Sequence, residues 1–276
     1  MPLLTCDISQ SLWDALNAST LENGETIAQL VSRALADTLQ IDHGTLFQVS
    51  TSGALVQGVF DGVVSVSTLR EHGNFGLGTY AGLDGEMIVL DGVFYRVRSD
   101  GSVHEAGDES LSPFAMVTHF NPERTTRLRP FATIDALCAE LDSLRGSDNL
   151  FYAVRLRGKF SHLHNRAACK VGPNVMLAEA ALLQGETHAD DVAGTMLGFW
   201  TPHYVKAIGI TGWHLHFISD DHSRGGHVLE AAGEEIEAEI EHLDDFRIAL
   251  PETKEFLTSD LNFDPTAILD KVEKSS

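Results

Sequence analysis

Trp213, Leu215 and Phe217 alternate with His214 and His216, and this period-two pattern commits the segment to a strand. Alternate strand residues point to one side, so the apolar trio takes one face and both imidazoles take the other. Gly225-Gly226 permits a tight turn, after which His227-Val228-Leu229 returns as a neighbouring strand. Three neutral nitrogens converging from rigid strands make a zinc site with one position open to water or substrate. That pattern fits a catalytic centre better than a closed structural one. The chain has 13 histidines, and a second His-x-His pair stands at His162-Leu163-His164. Such pairs also arise by chance. The third histidine beyond the glycine pair is what strengthens the metal reading at 214–227, whereas His222, in the polar run Ser219-Asp-Asp-His-Ser-Arg224, reads as a solvated loop residue.

The rest of the chain is β-rich as well. Between residues 45 and 117, short β-type runs are separated by glycines, at 46–49, 62–67, 87–90 and 93–97, and 114–120 continues the sheet. Asp91-Gly92 between two of these runs is a strong hairpin signal. Residues 150–158 and 160–169 read as two strands, with others at 195–200 and 204–210. Residues 235–242 alternate Glu with Ile236, Ala238 and Ile240, a half-exposed strand with its carboxylates in water. A helix precedes each half. After a polar lead-in, Ile27, Leu30, Val31, Ala34 and Leu39 form a helical stripe, and Thr133 caps a helix reaching Leu144. Residues 121–130, with Pro122, Pro130 and several charges, read as a linker or crossing loop. Short helical segments at 252–261 and 265–272 close the chain. The expected fold is α+β: two β-rich halves with mixed and antiparallel sheets and flanking helices. The halves divide as 1–130 and 131–276, the second carrying the histidines and the tail.

Charge narrows the function. The formal net charge is −21, from 40 acidic against 19 basic residues. This opposes binding to nucleic acid, whose phosphates need Lys and Arg, and to anionic membrane surfaces. A small anionic substrate remains compatible, because one buried Arg or a metal sets the local field. Cys6, Cys138 and Cys169 are odd in number and widely spaced, so they suggest no disulfide framework. No stretch reaches membrane-spanning length, and the first residues lack the basic and apolar regions of a signal peptide. A cytoplasmic protein is expected, and exposed strand edges suit a homodimer.

Several stretches, in order, resemble the acetolactate decarboxylases. They are GVFDG at 58–62, HGNFGLGTY at 72–80, LDGEMIVLDG at 83–92 and PFAMVTHF at 113–120. The second half adds GKF at 158–160 leading to Arg166, GTMLGFW at 194–200, GWHLHFI at 212–218 and GGHV at 225–228. The resemblance runs from about Gly44 onward; the first 43 residues match little. Asn74 stands where the family usually shows Asp, and Phe60 where Tyr is common, which touches local hydrogen bonds rather than the ligands.

The resemblance implies a zinc enzyme that converts 2-acetolactate to acetoin and carbon dioxide. Its metal ligands fall on His214, His216 and His227, the trio already reached from spacing. Its functional carboxylates fall on Glu86 and on Glu273 in the tail, close to Asp270. Its arginine falls on Arg166, suited to paired hydrogen bonds with a substrate carboxylate, and a threonine near the substrate falls on Thr79. Zn2+ acts as a Lewis acid on the ketone and hydroxyl oxygens, and no organic cofactor is needed. Two other metalloenzyme readings compete. In a cupin-like oxygenase, Gly209 followed by His-x-His would open the motif, but Asp220 replaces its glutamate. In a zinc hydrolase, Glu86 would activate water. A small-molecule or metal-binding protein without turnover is the non-enzyme alternative.

Overall fold

The computed structural model describes residues 4–23, 26–39, 44–173 and 175–273. They fall into two compact units, Met1–His43 and Gly44–Ser276. The first unit holds helices α1 (Gln10–Asn23) and α2 (Ile27–Leu39). The polar lead-in is thus helical: Ser9 Oγ accepts from Leu12 N–H at its start, no Gly or Pro interrupts the run, and α1 packs with α2. In α2, Ile27, Leu30 and Val31 are half-buried, whereas Leu39 at the far end is exposed.

The second unit begins with β1 (Thr45–Val49), α3 (Ser52–Val56), β2 (Val64–Ser65) and α4 (Val66–His72). It continues through β3 (Phe75–Thr79), β4 (Glu86–Leu90), β5 (Val93–Val97), β6 (Val103–Glu105), β7 (Leu111–Ser112), β8 (Phe114–Thr118) and β9 (Arg124–Arg127). Next come α5 (Ile134–Asp142), β10 (Phe151–Ala167), α6 (Leu177–Ala180), β11 (Gly185–Thr201), β12 (Gly212–Ser219) and β13 (Gly225–Gly233). Last are β14 (Glu237–Leu243), β15 (Asp245–Ala249), α7 (Lys254–Thr258) and α8 (Thr266–Glu273). The fold is α+β, as expected.

Seven strands form a mixed sheet in the order β15-β1-β8-β3-β4-β5-β6, in which β1 and β15 run parallel and the other pairs antiparallel. Six form an antiparallel sheet in the order β11-β12-β13-β10-β14-β9, and β10 also pairs with β11 along its length. The pairings β10–β11, β11–β12, β12–β13 and β13–β10 therefore close a ring of four strands, which has no free edge. Residue 130 is crossed in both directions, since β15 joins the first sheet and β9 joins the second.

Apolar side chains fill three layers. Leu46, Leu77 and Ile88 of the first sheet pack with Phe199 and Ile218 of the second. Met87, Val89 and Phe94, on the opposite face of the first sheet, pack with Val66 and Leu69 of α4. Phe160, Met196, Leu215 and Phe217 pack within the second sheet and meet Leu137 and Leu141 of α5. Both faces of β4 are thus buried, which explains its unbroken Met-Ile-Val-Leu run.

Several expectations change in the structure. Residues 204–210 are a short 3-10 turn and loop: Val205 N–H bonds to Pro202 and Ile208 N–H to Val205. The linker 121–130 contains β9. Residues 150–169 hold one strand of 17 residues rather than two. Of 62–67, only Val64–Ser65 is strand, because Ser65 accepts from Thr68 N–H and caps α4. Thr133 caps α5 as expected, accepting from Ala136 N–H. Ile236, Ala238 and Ile240 are buried, but so is Glu241. Among the described residues no helix is long and apolar enough to cross a membrane.

Candidate metal and active site

The histidine hairpin is built differently at its turn than the glycines suggest. Gly225 and Gly226 already lie in β13, paired with Ile218 and Phe217. The chain reverses through Ser219–Arg224 instead: Ser219 Oγ accepts from Ser223 and Arg224 N–H, and exposed His222 takes φ 53°. Asp220 is exposed in that turn, outside any ligand set. Gly226 serves close approach. A Cβ there would sit 2.4 Å from the carbonyl oxygen of Arg166, so only glycine lets β13 lie against β10 at that point. His227 consequently pairs with His216 on one side and with Arg166 on the other.

The three rings converge. Their centroids are 5.0 Å (His214–His216), 4.9 Å (His214–His227) and 5.5 Å (His216–His227) apart. Each ring offers one nitrogen within 4.8 Å of the others. His216 Nδ1 lies 2.9 Å from the Met87 carbonyl, and His227 Nε2 lies 2.9 Å from the Glu273 carbonyl. Both carbonyls can only accept, so those nitrogens carry the protons and leave lone pairs on His216 Nε2 and His227 Nδ1. These two atoms, with His214 Nδ1, are buried and have no hydrogen-bond partner. Buried polar atoms normally find one. Burial also drives the His214 pKa down to about 3 and holds His216 and His227 well below the usual histidine range. Neutral imidazoles with orphaned lone pairs suit a divalent ion.

Two carboxylates flank them. Glu86 starts β4 after a loop in which Gly85 has φ 99°, and a Cβ there would meet the Val97 carbonyl at 2.4 Å. Asp84 pins that loop through ion pairs to Arg96 at 2.9 Å and Arg98 at 3.5 Å. Glu86 Oε1 accepts from Ala168 N–H at 3.0 Å, and its Oε2 is 3.7 Å from His216 Nε2. Burial raises the Glu86 pKa to about 7; Arg166 opposes the rise and the Glu273 charge adds to it. Glu273, in the last turn of α8, places Oε2 3.5 Å from His227 Nδ1 and 3.7 Å from His214 Nε2.

Arg166 joins the two sides. Its Nη2 donates to Glu273 Oε2 and its Nη1 to Gln184 Oε1, each at 2.9 Å, while buried Nε has no acceptor. Thr79 lies opposite Glu86 in the β3–β4 pair and donates to the Gly85 carbonyl at 2.9 Å. Thr79, Glu86, Arg166, His214, His227 and Glu273 line one cavity of about 60 Å³, walled by apolar side chains including Leu55, Phe114 and Ile210. With His216 beside His214 and His227, the structure brings together Thr79, Glu86, Arg166, Glu273 and the three histidines. Asp270, close to Glu273 in sequence, does not line this cavity. Sequence reading missed Gln184, which holds Arg166, and two backbone groups, the Met87 carbonyl and Ala168 N–H. Backbone groups leave no trace in residue identity, and Gln184 sits in no motif.

Asn74 and Phe60 are accommodated. Asn74 Oδ1 accepts from Phe120 N–H at 3.1 Å, a role that a carboxylate oxygen would also fill. Phe60 is buried among apolar side chains, where no hydroxyl is required.

Known proteins share this arrangement of chain. The profile of the alpha-acetolactate decarboxylase family matches residues 46–263, ending before α8. An alpha-acetolactate decarboxylase of Methanosarcina mazei is 39% identical over 257 residues, covering 93% of this chain and 87% of the relative. One from Bacillus licheniformis is 37% identical over 218 residues, covering 79% and 86%. The crystal structure of the Bacillus subtilis alpha-acetolactate decarboxylase aligns with a TM-score of 0.81 at 36% identity, over 84% of this chain and 100% of that one.

Proposed function

The chain belongs to the alpha-acetolactate decarboxylase family, and on that premise we propose that its three-histidine centre holds zinc and converts 2-acetolactate to acetoin and carbon dioxide. One observation carries the reading: three buried histidines bring one ring nitrogen each within 4.8 Å of the others beside Glu86, Arg166 and Glu273, and His216 Nε2 and His227 Nδ1 among them have no hydrogen-bond partner. His214, His216 and His227 would hold the ion, which supplies Lewis acidity toward the ketone and hydroxyl oxygens of a substrate.

The chain's own groups perform the rest. When carbon dioxide leaves a 2-hydroxy-3-oxo acid, the bonding electrons pass to the neighbouring ketone. Arg166 Nε, buried and without an acceptor, offers a donor to the substrate carboxylate and orients the bond that breaks. Thr79 spends its proton on Gly85 and so presents lone pairs that accept from the substrate hydroxyl. Glu86, whose carboxyl burial pushes toward the protonated form, would deliver the proton that replaces carbon dioxide on carbon. Glu273 holds Arg166 in place from α8 and closes the cavity. The apolar walls keep water from competing for that proton.

A homodimer in the cytoplasm belongs to the same reading. The edge positions of β9 and β15 support self-association. The test is to supply racemic acetolactate to chelator-stripped and zinc-reconstituted protein and to measure acetoin above the spontaneous rate. Zinc-dependent acetoin is expected; its absence would remove the assignment.

A further inference from the structure

The His162-Leu163-His164 pair reappears outside the catalytic cavity, on the long hairpin of β10 and β11. His164 lies opposite His188, His162 opposite Asp190, and Arg166 opposite Glu186, so these residues occupy successive same-side positions. The His164 and His188 rings stack with centroids 4.0 Å apart and 15° between planes. His164 Nε2 meets Glu186 Oε2 at 2.9 Å. One ligating atom from each of His164, Glu186 and His188 lies within 4.8 Å of the other two.

We propose that His164, Glu186 and His188 form a second divalent-metal site, accessible from solvent and separate from the buried trio. Two imidazole nitrogens and one carboxylate oxygen select borderline ions such as Zn2+, Ni2+ or Cu2+ over Mg2+ or Ca2+, which demand an all-oxygen shell. The backbone favours binding because both strands run 17 residues and pair throughout this stretch, so the main-chain frame is held, and exposed His188 needs only to turn out of the stack to aim its lone pair at an ion beside His164. Half-buried His164, with a side chain 16% exposed, has little freedom to lose. His188 and Glu186 are exposed and leave the entry path open. Without an ion, His164 and Glu186 share a hydrogen bond; coordination replaces that contact, and solvent completes the shell. The ordinary alternative is that the stacked rings merely strengthen the hairpin as a cross-strand pair. That alternative binds no metal. The proposal does not depend on the catalytic reading.

The experiment uses the full chain without an affinity tag, stripped by chelator and then titrated with Zn2+ while bound metal is counted. Wild type is expected to hold two equivalents per chain, and His188→Ala one, with decarboxylase activity kept. His216→Ala is expected to keep the hairpin equivalent while losing the buried one, so failure at either centre is seen separately. Glu186→Gln provides a milder variant should His188→Ala misfold, and is expected to weaken the second equivalent at least tenfold. A wild type that binds a single equivalent, which His188→Ala leaves in place, overturns the site. So does a second equivalent that survives both hairpin substitutions unchanged.

Discussion

Glu241 gives the sharpest test of how this fold treats charge. Its side chain is 1% exposed in β14; Oε2 accepts from Asn121 N–H at 2.7 Å and Oε1 has no partner. Burial raises its pKa to about 8; the Asn121 N–H bond opposes this and the charges of Glu123 and Asp244 add to it. A raised folded-state pKa means that the folded chain holds the proton more tightly than the unfolded chain. The resulting stability is complete below the unfolded value, about 4.5, and is lost as pH rises through the folded value. A shift of this size corresponds to roughly 4 kcal/mol between pH 5 and pH 9. Glu241→Gln cannot titrate and so lacks that slope. Its amide leaves an unsatisfied donor costing about 1–3 kcal/mol, but at every pH alike. Denaturant unfolding of both proteins at pH 5, 7 and 9 measures the difference. Expected is a wild type that leads the variant by about 1–3 kcal/mol at pH 5 and trails it at pH 9, the difference having moved by about 4 kcal/mol. Glu86 acts with the same sign, but its value of about 7 places most of its effect lower. A stability difference that stays constant from pH 5 to 9 would refute a buried, protonated Glu241.

Further outcomes follow from the catalytic cavity. His216→Ala should remove the buried metal and cut acetoin formation about a thousandfold, the scale of several kcal/mol of Lewis-acid stabilisation, with circular dichroism unchanged; full turnover would dismiss this residue as a ligand. Glu273→Gln should retain metal and lower kcat about 10- to 100-fold, and an unaltered rate would dismiss the tail. Arg166→Lys loses the planar fork and should lower kcat/KM roughly tenfold to a hundredfold; steady-state kinetics at fixed zinc decides this.

The sequence shows most where a face must be one thing only. Buried β12 has one apolar and one imidazole face, so its alternation could be read directly. Glu86, Arg166 and the histidines were legible through motifs, whereas Gln184 was not. Glycines misled where they serve close approach rather than turning. At Gly158 a Cβ would sit 2.8 Å from Ile236 Cδ1 and 2.9 Å from the Glu235 carbonyl, so glycine preserves one strand instead of dividing two. The strand in 121–130 was hidden because its partner is distant in sequence: Arg127 lies opposite Glu237 and Thr125 opposite Glu239 on acidic β14. Short apolar runs such as 204–210 are ambiguous, and there Pro202 and Gly209 favour a turn over a ladder.

Anomalous diffraction at the zinc edge, from crystals of protein that is making acetoin, addresses the central claim. Expected is a peak between His214, His216 and His227, about 2.0–2.1 Å from one nitrogen of each ring. Active crystals with no zinc among those three rings would contradict it.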